Sequence, residues 1–151
     1  MVPYLALVRE KVNSRGVRKI LDRCEESIRP NGFSDPEEMA DWYRTWSRAR
    51  EIGEDQLPEA GDELIGIAEA AAGDPVLRET AIRAALQLGL QKSARLMVED
   101  LQSKHYDLRM LGYQGIRSLF SDSPPDFDPE ESVGSQQPQI EKIRSWVESR
   151  L

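Results

Sequence analysis

Residues that could catalyse a reaction or bind a metal are few in this chain and lie far apart. His105 is the only histidine, and it stands between Lys104 and Tyr106 without companions at the spacing that a metal site requires. Cys24 is the only cysteine, and the one histidine that could act as its base is remote in sequence. We therefore expect a turn histidine and a buried thiol, and we assign no catalytic, cofactor-binding or metal-binding residue.

Five carboxylates gather in a proline-rich segment near the C-terminus, and such a group suggests Ca²⁺. They are Asp122, Asp126, Asp128, Glu130 and Glu131. An EF-hand loop needs oxygen ligands at alternate positions, a glycine at position six and a glutamate at position twelve. Here prolines interrupt the acids and Gly134 is misplaced. We expect solvated or helix-capping carboxylates, and the sequence leaves cation binding open.

The most unusual group of side chains is aromatic. Trp42 and Trp46 are four residues apart, so they share one face of a helix, with Tyr43 beside them and Met39 one turn before. One interpretation is core packing against the N-terminal helices. The other is an exposed anchor for a partner protein, because Trp and Tyr are enriched at binding hot spots.

Helix signals dominate the elements that must position these residues. Apolar residues recur at three- and four-residue spacing, whereas no stretch alternates for long and β-branched residues are scarce. Asp35-Pro36 and Asp74-Pro75 are strong helix starts, because each offers a capping carboxylate followed by proline at the first helical position. The predicted helices cover 17–29, 36–53, 62–72, 75–88, 92–103, 107–120 and 139–149.

Two of these helices are related by an internal repeat. Residues 78–88 align with residues 109–119 at an offset of 31. The offset places arginine over arginine and small residues over small residues. The aligned pairs are Arg78 with Arg109, Ala81 with Gly112, Ala84 with Gly115, Ala85 with Ile116 and Leu88 with Leu119; in the preceding helices they are Ile65 with Leu96 and Ala70 with Leu101. Small residues at these positions would let two helices approach closely.

This pattern resembles the short-period HEAT-like repeats of bacteria. The residues that carry the resemblance are Asp74-Pro75-Val76-Leu77-Arg78 with Ala81, Ala85 and Leu88, and Asp107-Leu108-Arg109 with Gly112, Ile116 and Leu119. The resemblance implies a short right-handed α-solenoid of antiparallel helix pairs. It also implies that Asp74 and Asp107 start second helices and that Arg78 and Arg109 link neighbouring repeats. The ending Phe127-Asp128-Pro129 followed by Ile140, Ile143 and Trp146 looks like a terminal cap.

We thus predict an all-α fold in one domain. It comprises N-terminal helices in residues 1–53, two HEAT-like repeats in 61–120, a loop rich in proline and acid in 121–138, and a capping helix in 139–150. Second helices of such solenoids line the concave side, so the resemblance places a mostly polar line against a partner. The residues of this line are Glu79, Arg83, Gln87, Met110, Gln114 and Ser118. An ordinary solvated helix face is the simpler alternative.

Composition limits the possible partners. The chain has 151 residues, 20 Lys+Arg and 27 Asp+Glu, and hence a net charge of −7. Such a chain repels a nucleic-acid duplex, and no apolar run approaches the roughly 20 residues that span a bilayer. The N-terminus lacks the basic and apolar regions of a signal peptide, and a single cysteine fits a reducing compartment, so we expect a cytoplasmic protein.

The sequence favours a non-catalytic protein-binding module, an adaptor or regulatory subunit that presents a solenoid face to a protein partner. One alternative is a small acidic inhibitor or immunity-type protein that covers a basic site, because residues 30–60 and 121–151 carry net charges of −5 and −4. A further alternative is an enzyme similar to the helical-repeat DNA glycosylases or the bilin lyases, although the absence of a basic groove weighs against a glycosylase. The oligomeric state and the partner's identity stay open.

Overall fold

The structure is a computed structural model that describes residues 35–151. In this part of the chain it contains six α-helices and no strand. The helices are α1 (Pro36–Glu54), α2 (Gly61–Ala70), α3 (Pro75–Gln87), α4 (Ala94–Asp100), α5 (Tyr106–Leu119) and α6 (Gln137–Glu148), with 3₁₀ turns at Pro58–Ala60, Gln91–Ser93 and Val133–Gln136. The all-α prediction is confirmed for these residues. The predicted helix over 17–29 and the buried thiol of Cys24 lie outside them.

The chain divides into two compact units, Met1–Arg48 and Ala49–Leu151. Helix α1 begins in the first unit and ends in the second. In the described part of the first unit, Asp35 caps α1, because its Oδ1 accepts a hydrogen bond of 2.7 Å from the backbone N of Glu38. None of the described helices is long and apolar enough to cross a membrane.

The starts of α3 and α5 differ. Asp74 is the N-cap of α3, and its Oδ1 accepts a 3.1 Å hydrogen bond from the backbone N of Leu77, as predicted. The N-cap of α5 is His105, which makes no side-chain capping bond, and Asp107 lies in the first turn of the helix. The expectation that Asp107 starts its helix as Asp74 does is therefore wrong. Position 105, which is 31 residues after Asp74, is the equivalent position.

The ends of α1 and α3 form the same turn. Gln56 and Gly89 have φ values of 50° and 62°, in the left-handed region. After each of them a leucine N–H bonds to a carbonyl five residues back, Leu57 to Ile52 and Leu90 to Ala85, both at 3.0 Å. This is the Schellman arrangement that closes a helix and satisfies its last carbonyls. The two turns are 33 residues apart, rather than 31.

The same spacing of 33 relates α2 to α4. Buried residues coincide under it, namely Gly61 with Ala94, Leu64 with Met97 and Ala68 with Leu101. The predicted pairing of Ala70 with Leu101 is wrong, because Ala70 is exposed and Leu101 is buried. The spacing returns to 31 in α3 and α5 because Ala68 and Arg78 are ten positions apart, whereas the equivalent residues Leu101 and Arg109 are eight apart. A single offset of 31 for both helices of each pair therefore misaligns α2 with α4.

Small residues set the packing of α5, as the sequence predicted. A Cβ on Gly112 would lie 2.8 Å from the carbonyl oxygen of Met97 in α4. A Cβ on Gly115 would lie 2.6 Å from Met97 Sδ and 3.1 Å from Leu86 Cδ1 in α3. Helix α5 therefore packs closely on both α4 and α3. The pairs α2–α3 and α4–α5 make the most extensive helix contacts in the described residues.

The last helix returns to the body of the second unit, as predicted. Helix α6 packs on α4 and buries Ile140, Ile143 and Val147 completely or nearly so. The ring of Trp146 meets that of Phe120 edge-on at 5.2 Å between centroids. The irregular segment before α6 is anchored by Phe127, which is buried against Tyr113.

Candidate interaction surface

The polar line predicted from the repeat lies outside the core on two adjacent helices, α3 and α5. Arg83, Gln87, Gln114 and Ser118 are exposed. Glu79 and Met110 are half-buried. Leu86 of α3 packs against Gly115 of α5, so the two helices that carry the two halves of the line are neighbours in one unit. We call these six residues the α3–α5 surface.

Most polar groups of the α3–α5 surface bond along their own helix. Arg83 Nε donates to Glu79 Oε1 at 2.8 Å, although the Arg83 side chain stays 62% exposed. Ser118 Oγ donates to the carbonyl oxygen of Gly115 at 2.8 Å, and Gln114 Nε2 lies 3.1 Å from Met110 Sδ. The surface is thus pre-ordered, and it offers guanidinium and amide groups suited to hydrogen bonding.

A cavity of about 220 Å³ adjoins this surface, between the end of α1 and α3. Its lining residues are Arg50, Glu54, Thr80, Arg83, Ala84 and Gln87. The two helices approach closely at Gly53, where an added Cβ would lie 2.8 Å from Ala84 Cβ. Sequence reasoning did not bring Arg50, Glu54 and Thr80 together with Arg83. The signal was the spacing of 33, which makes Arg50 the equivalent of Arg83.

The aromatic group belongs to the first unit. Trp42 and Trp46 stack with centroids 6.1 Å apart and an angle of 11° between ring planes. Tyr43 lies 5.8 Å from Trp46, between ring centroids, and is 48% exposed, whereas both tryptophans are half-buried. The predicted shared helix face is therefore present. Core packing and a partner anchor both stay predictions for these residues.

The arginines of the repeat have structural roles. Arg78 is 2% exposed and reaches α4, where its Nε donates to both carboxylate oxygens of Asp100, at 3.0 and 3.2 Å. Its Nη1 donates to the carbonyl oxygen of Ala68 in α2 at 2.6 Å, and its Nη2 to that of Leu96 in α4 at 2.9 Å. Arg78 thus links α2 and α3 to α4.

Arg109 repeats part of this pattern with backbone acceptors alone. Its Nη1 donates to the carbonyl oxygen of Ser103 and its Nε to that of Pro129, both at 2.9 Å. The first bond holds the turn before α5, and the second holds the segment that leads to α6. Asp100 could not be recognised from the sequence as the acid that meets Arg78, since the two residues are 22 positions apart.

Asp100 is a buried carboxyl group with a raised pKa. Burial raises its pKa to about 6, while the hydrogen bonds and charge of Arg78 act in the opposite direction. The pair is enclosed between helices, where it has no access to a substrate. A shifted pKa here follows from structural burial and does not indicate catalysis.

Two acids of the proline-rich segment, Asp122 and Asp128, have partners within the protein. Arg150 Nε donates to the two carboxylate oxygens of Asp122, at 3.2 and 3.1 Å, and this bond lowers the pKa of Asp122. Asp128 Oδ1 accepts a 2.9 Å bond from the backbone N of Glu130. Over residues 35–151, no three His, Cys, Asp or Glu side chains are grouped to hold a metal ion.

A second surface consists of acidic side chains from a stretch of the sequence that has no basic residue. The stretch from Glu51 to Asp74 contains eight acidic residues and no lysine or arginine. Asp55, Glu59, Asp62 and Glu69 are exposed within it. Glu54 pairs with Arg50 and Asp62 with Lys92. We call the exposed carboxylates at positions 54–69 the acidic surface.

Comparisons with protein-family descriptions, with curated proteins and with solved structures found no match. The resemblance to HEAT-like repeats therefore rests on the residues quoted for it.

Proposed function

We propose that this chain is a non-catalytic protein-binding module, an adaptor or regulatory subunit that holds a partner protein on the α3–α5 surface. The observation that carries the proposal is the packing of α3 on α5 through Gly115 and Leu86. This packing brings two polar lines, 31 residues apart in sequence, onto neighbouring helices outside the core. A surface of this kind suits hydrogen bonding to another polypeptide.

We also propose that the helix pairs α2–α3 and α4–α5 stack as a short right-handed solenoid of the HEAT-like type. The identical turns at Gln56 and Gly89 support it, because repeated units reuse the same connection. The bonds of Arg78 to Asp100 and Leu96 support it as well, since they join one pair to the next. In this arrangement α3 and α5 form the concave side and α6 covers the C-terminal end. The single cysteine fits a cytoplasmic setting.

The test is affinity capture with the full chain immobilised, followed by chemical cross-linking and mass spectrometry of the captured protein. The wild-type chain is compared with the double variant Arg83→Glu with Gln114→Glu. Arg83→Glu removes the hydrogen bonds that the guanidinium would donate to a partner and leaves a carboxylate without a counter-charge at the interface, so we expect the affinity for the captured protein to fall at least about tenfold. In the wild type, cross-links should map to α3 and α5.

A matched control distinguishes an effect of the α3–α5 surface from an effect of the change in net charge. Lys142→Glu with Gln102→Glu changes the net charge by the same amount at two exposed positions away from α3 and α5. Both double variants should keep the helical circular dichroism and unfolding midpoint of the wild type, because exposed substitutions have small effects on stability. Equal affinity of the Arg83→Glu, Gln114→Glu variant and the wild type would refute the site, and so would equal loss in both variants.

The acidic surface favours a second candidate, a small inhibitor or immunity-type protein that covers a basic site. Exposed carboxylates in a stretch of sequence that has no lysine or arginine would attract a basic partner over a distance of about 10 Å at 0.1 M salt. Its partner would bind the end of α1 and α2, rather than α3 and α5. The two candidates therefore predict different sensitive residues.

Charge reversal of the acidic surface distinguishes them. If the inhibitor hypothesis is correct, Glu59→Lys with Glu69→Lys abolishes capture of the partner protein. The affinity of the wild type for this partner also falls steeply as ionic strength rises. Glu130→Lys with Glu131→Lys, in the exposed segment before α6, is the matched control. Affinity that is insensitive to salt, with no effect of either variant, would rule out the inhibitor.

A further inference from the structure

We draw no further inference here: the strongest candidate, the acidic surface that runs from the end of α1 across α2, carries nothing beyond the second candidate function already described, because exposed carboxylates alone do not identify a ligand and nothing in residues 35–151 shows what covers them.

Discussion

Arg78 is a buried arginine that forms an ion pair with a buried acid. Its guanidinium group donates hydrogen bonds to two carbonyl oxygens and to the Asp100 carboxylate, and it is almost completely buried. A buried charge is tolerated only when it is paired and fully hydrogen-bonded, and Arg78 meets both conditions. The pair therefore constrains how α3 and α4 meet.

Arg78→Met should destabilise the protein by about 3–5 kcal/mol, because it leaves the Asp100 carboxylate buried without its counter-charge. The pKa of Asp100 should then rise above about 6, the value it has beside Arg78. Urea unfolding measures the free energy, and NMR titration of the Asp100 carboxyl carbon measures the pKa. Arg109→Met is the control, since its lost partners are backbone carbonyls and the cost should stay near about 1–2 kcal/mol. Equal costs in the two variants would contradict the assigned role of the buried ion pair.

Asp100 should also give the stability a definite pH dependence. Its pKa is about 6 in the folded protein, against about 3.9 for an unfolded chain. Between these values the folded state binds more protons, so the contribution of Asp100 to the free energy of unfolding falls as pH rises from about 4 to 6 and is flat above. Comparing urea unfolding of the wild type and Asp100→Asn across this pH range isolates the contribution. An NMR midpoint near 4 for Asp100 would show that burial does not outweigh the hydrogen bonds and charge of Arg78.

At the scale of elements, the glycines decide which helices can touch. Gly53 lies where the end of α1 crosses α3, and a Cβ there would meet Ala84 and the Gln87 side chain. Gly66 also lies within a helix, α2, yet a Cβ there would meet nothing within 4 Å. Substitution at Gly66 therefore tests helix propensity alone, whereas substitution at Gly53 tests helix propensity together with interhelical packing.

Gly53→Ala should destabilise by about 1–3 kcal/mol, because the cost of overpacking exceeds the gain in helix propensity. Gly66→Ala, its matched control, should stabilise by about 0.5–1 kcal/mol through propensity alone. Thermal or urea unfolding measures both changes. Stabilisation by both substitutions would mean that α1 does not approach α3 closely at this crossing.

At the scale of the second unit, one core extends from the end of α1 to α6. Most of the buried apolar residues from Ala49 to Val147 form a single cluster. Helix α6 belongs to it, because Ile140, Ile143 and Val147 lie against the body rather than in solvent. The C-terminal helix is therefore part of the cooperative structure.

Ile143→Ala should cost about 2–5 kcal/mol, the range for large-to-small changes in a packed core. The neighbouring exposed substitution Lys142→Ala should stay within about 0.5 kcal/mol of the wild type. Native-state hydrogen exchange adds a second measurement, since amides of α4 should lose protection together with those of α6. Loss of protection confined to α6 would show that the helix opens independently of the core.

Features that depend on a few neighbouring residues could be predicted from the sequence. The capping bonds of Asp35 and Asp74 span three residues, and the buried face of α6 follows a helical period, so local chemistry fixed both. The small residues of α5 were likewise recognisable by their spacing. The α3–α5 surface was predicted as two lines on two helices, and the structure places these helices side by side.

Tertiary structure alone decided which distant groups meet. Arg78 could be seen to matter, but its acid partner depends on how α3 crosses α4, and the cavity around Arg50 depends on the approach of α1 to Ala84. The change of spacing from 33 to 31 lies between Ala68 and Arg78, where two additional residues alter the register without altering the apolar pattern of each helix. Helix formation is governed by contacts along the chain, whereas burial and pairing arise only after helices remote in sequence have packed.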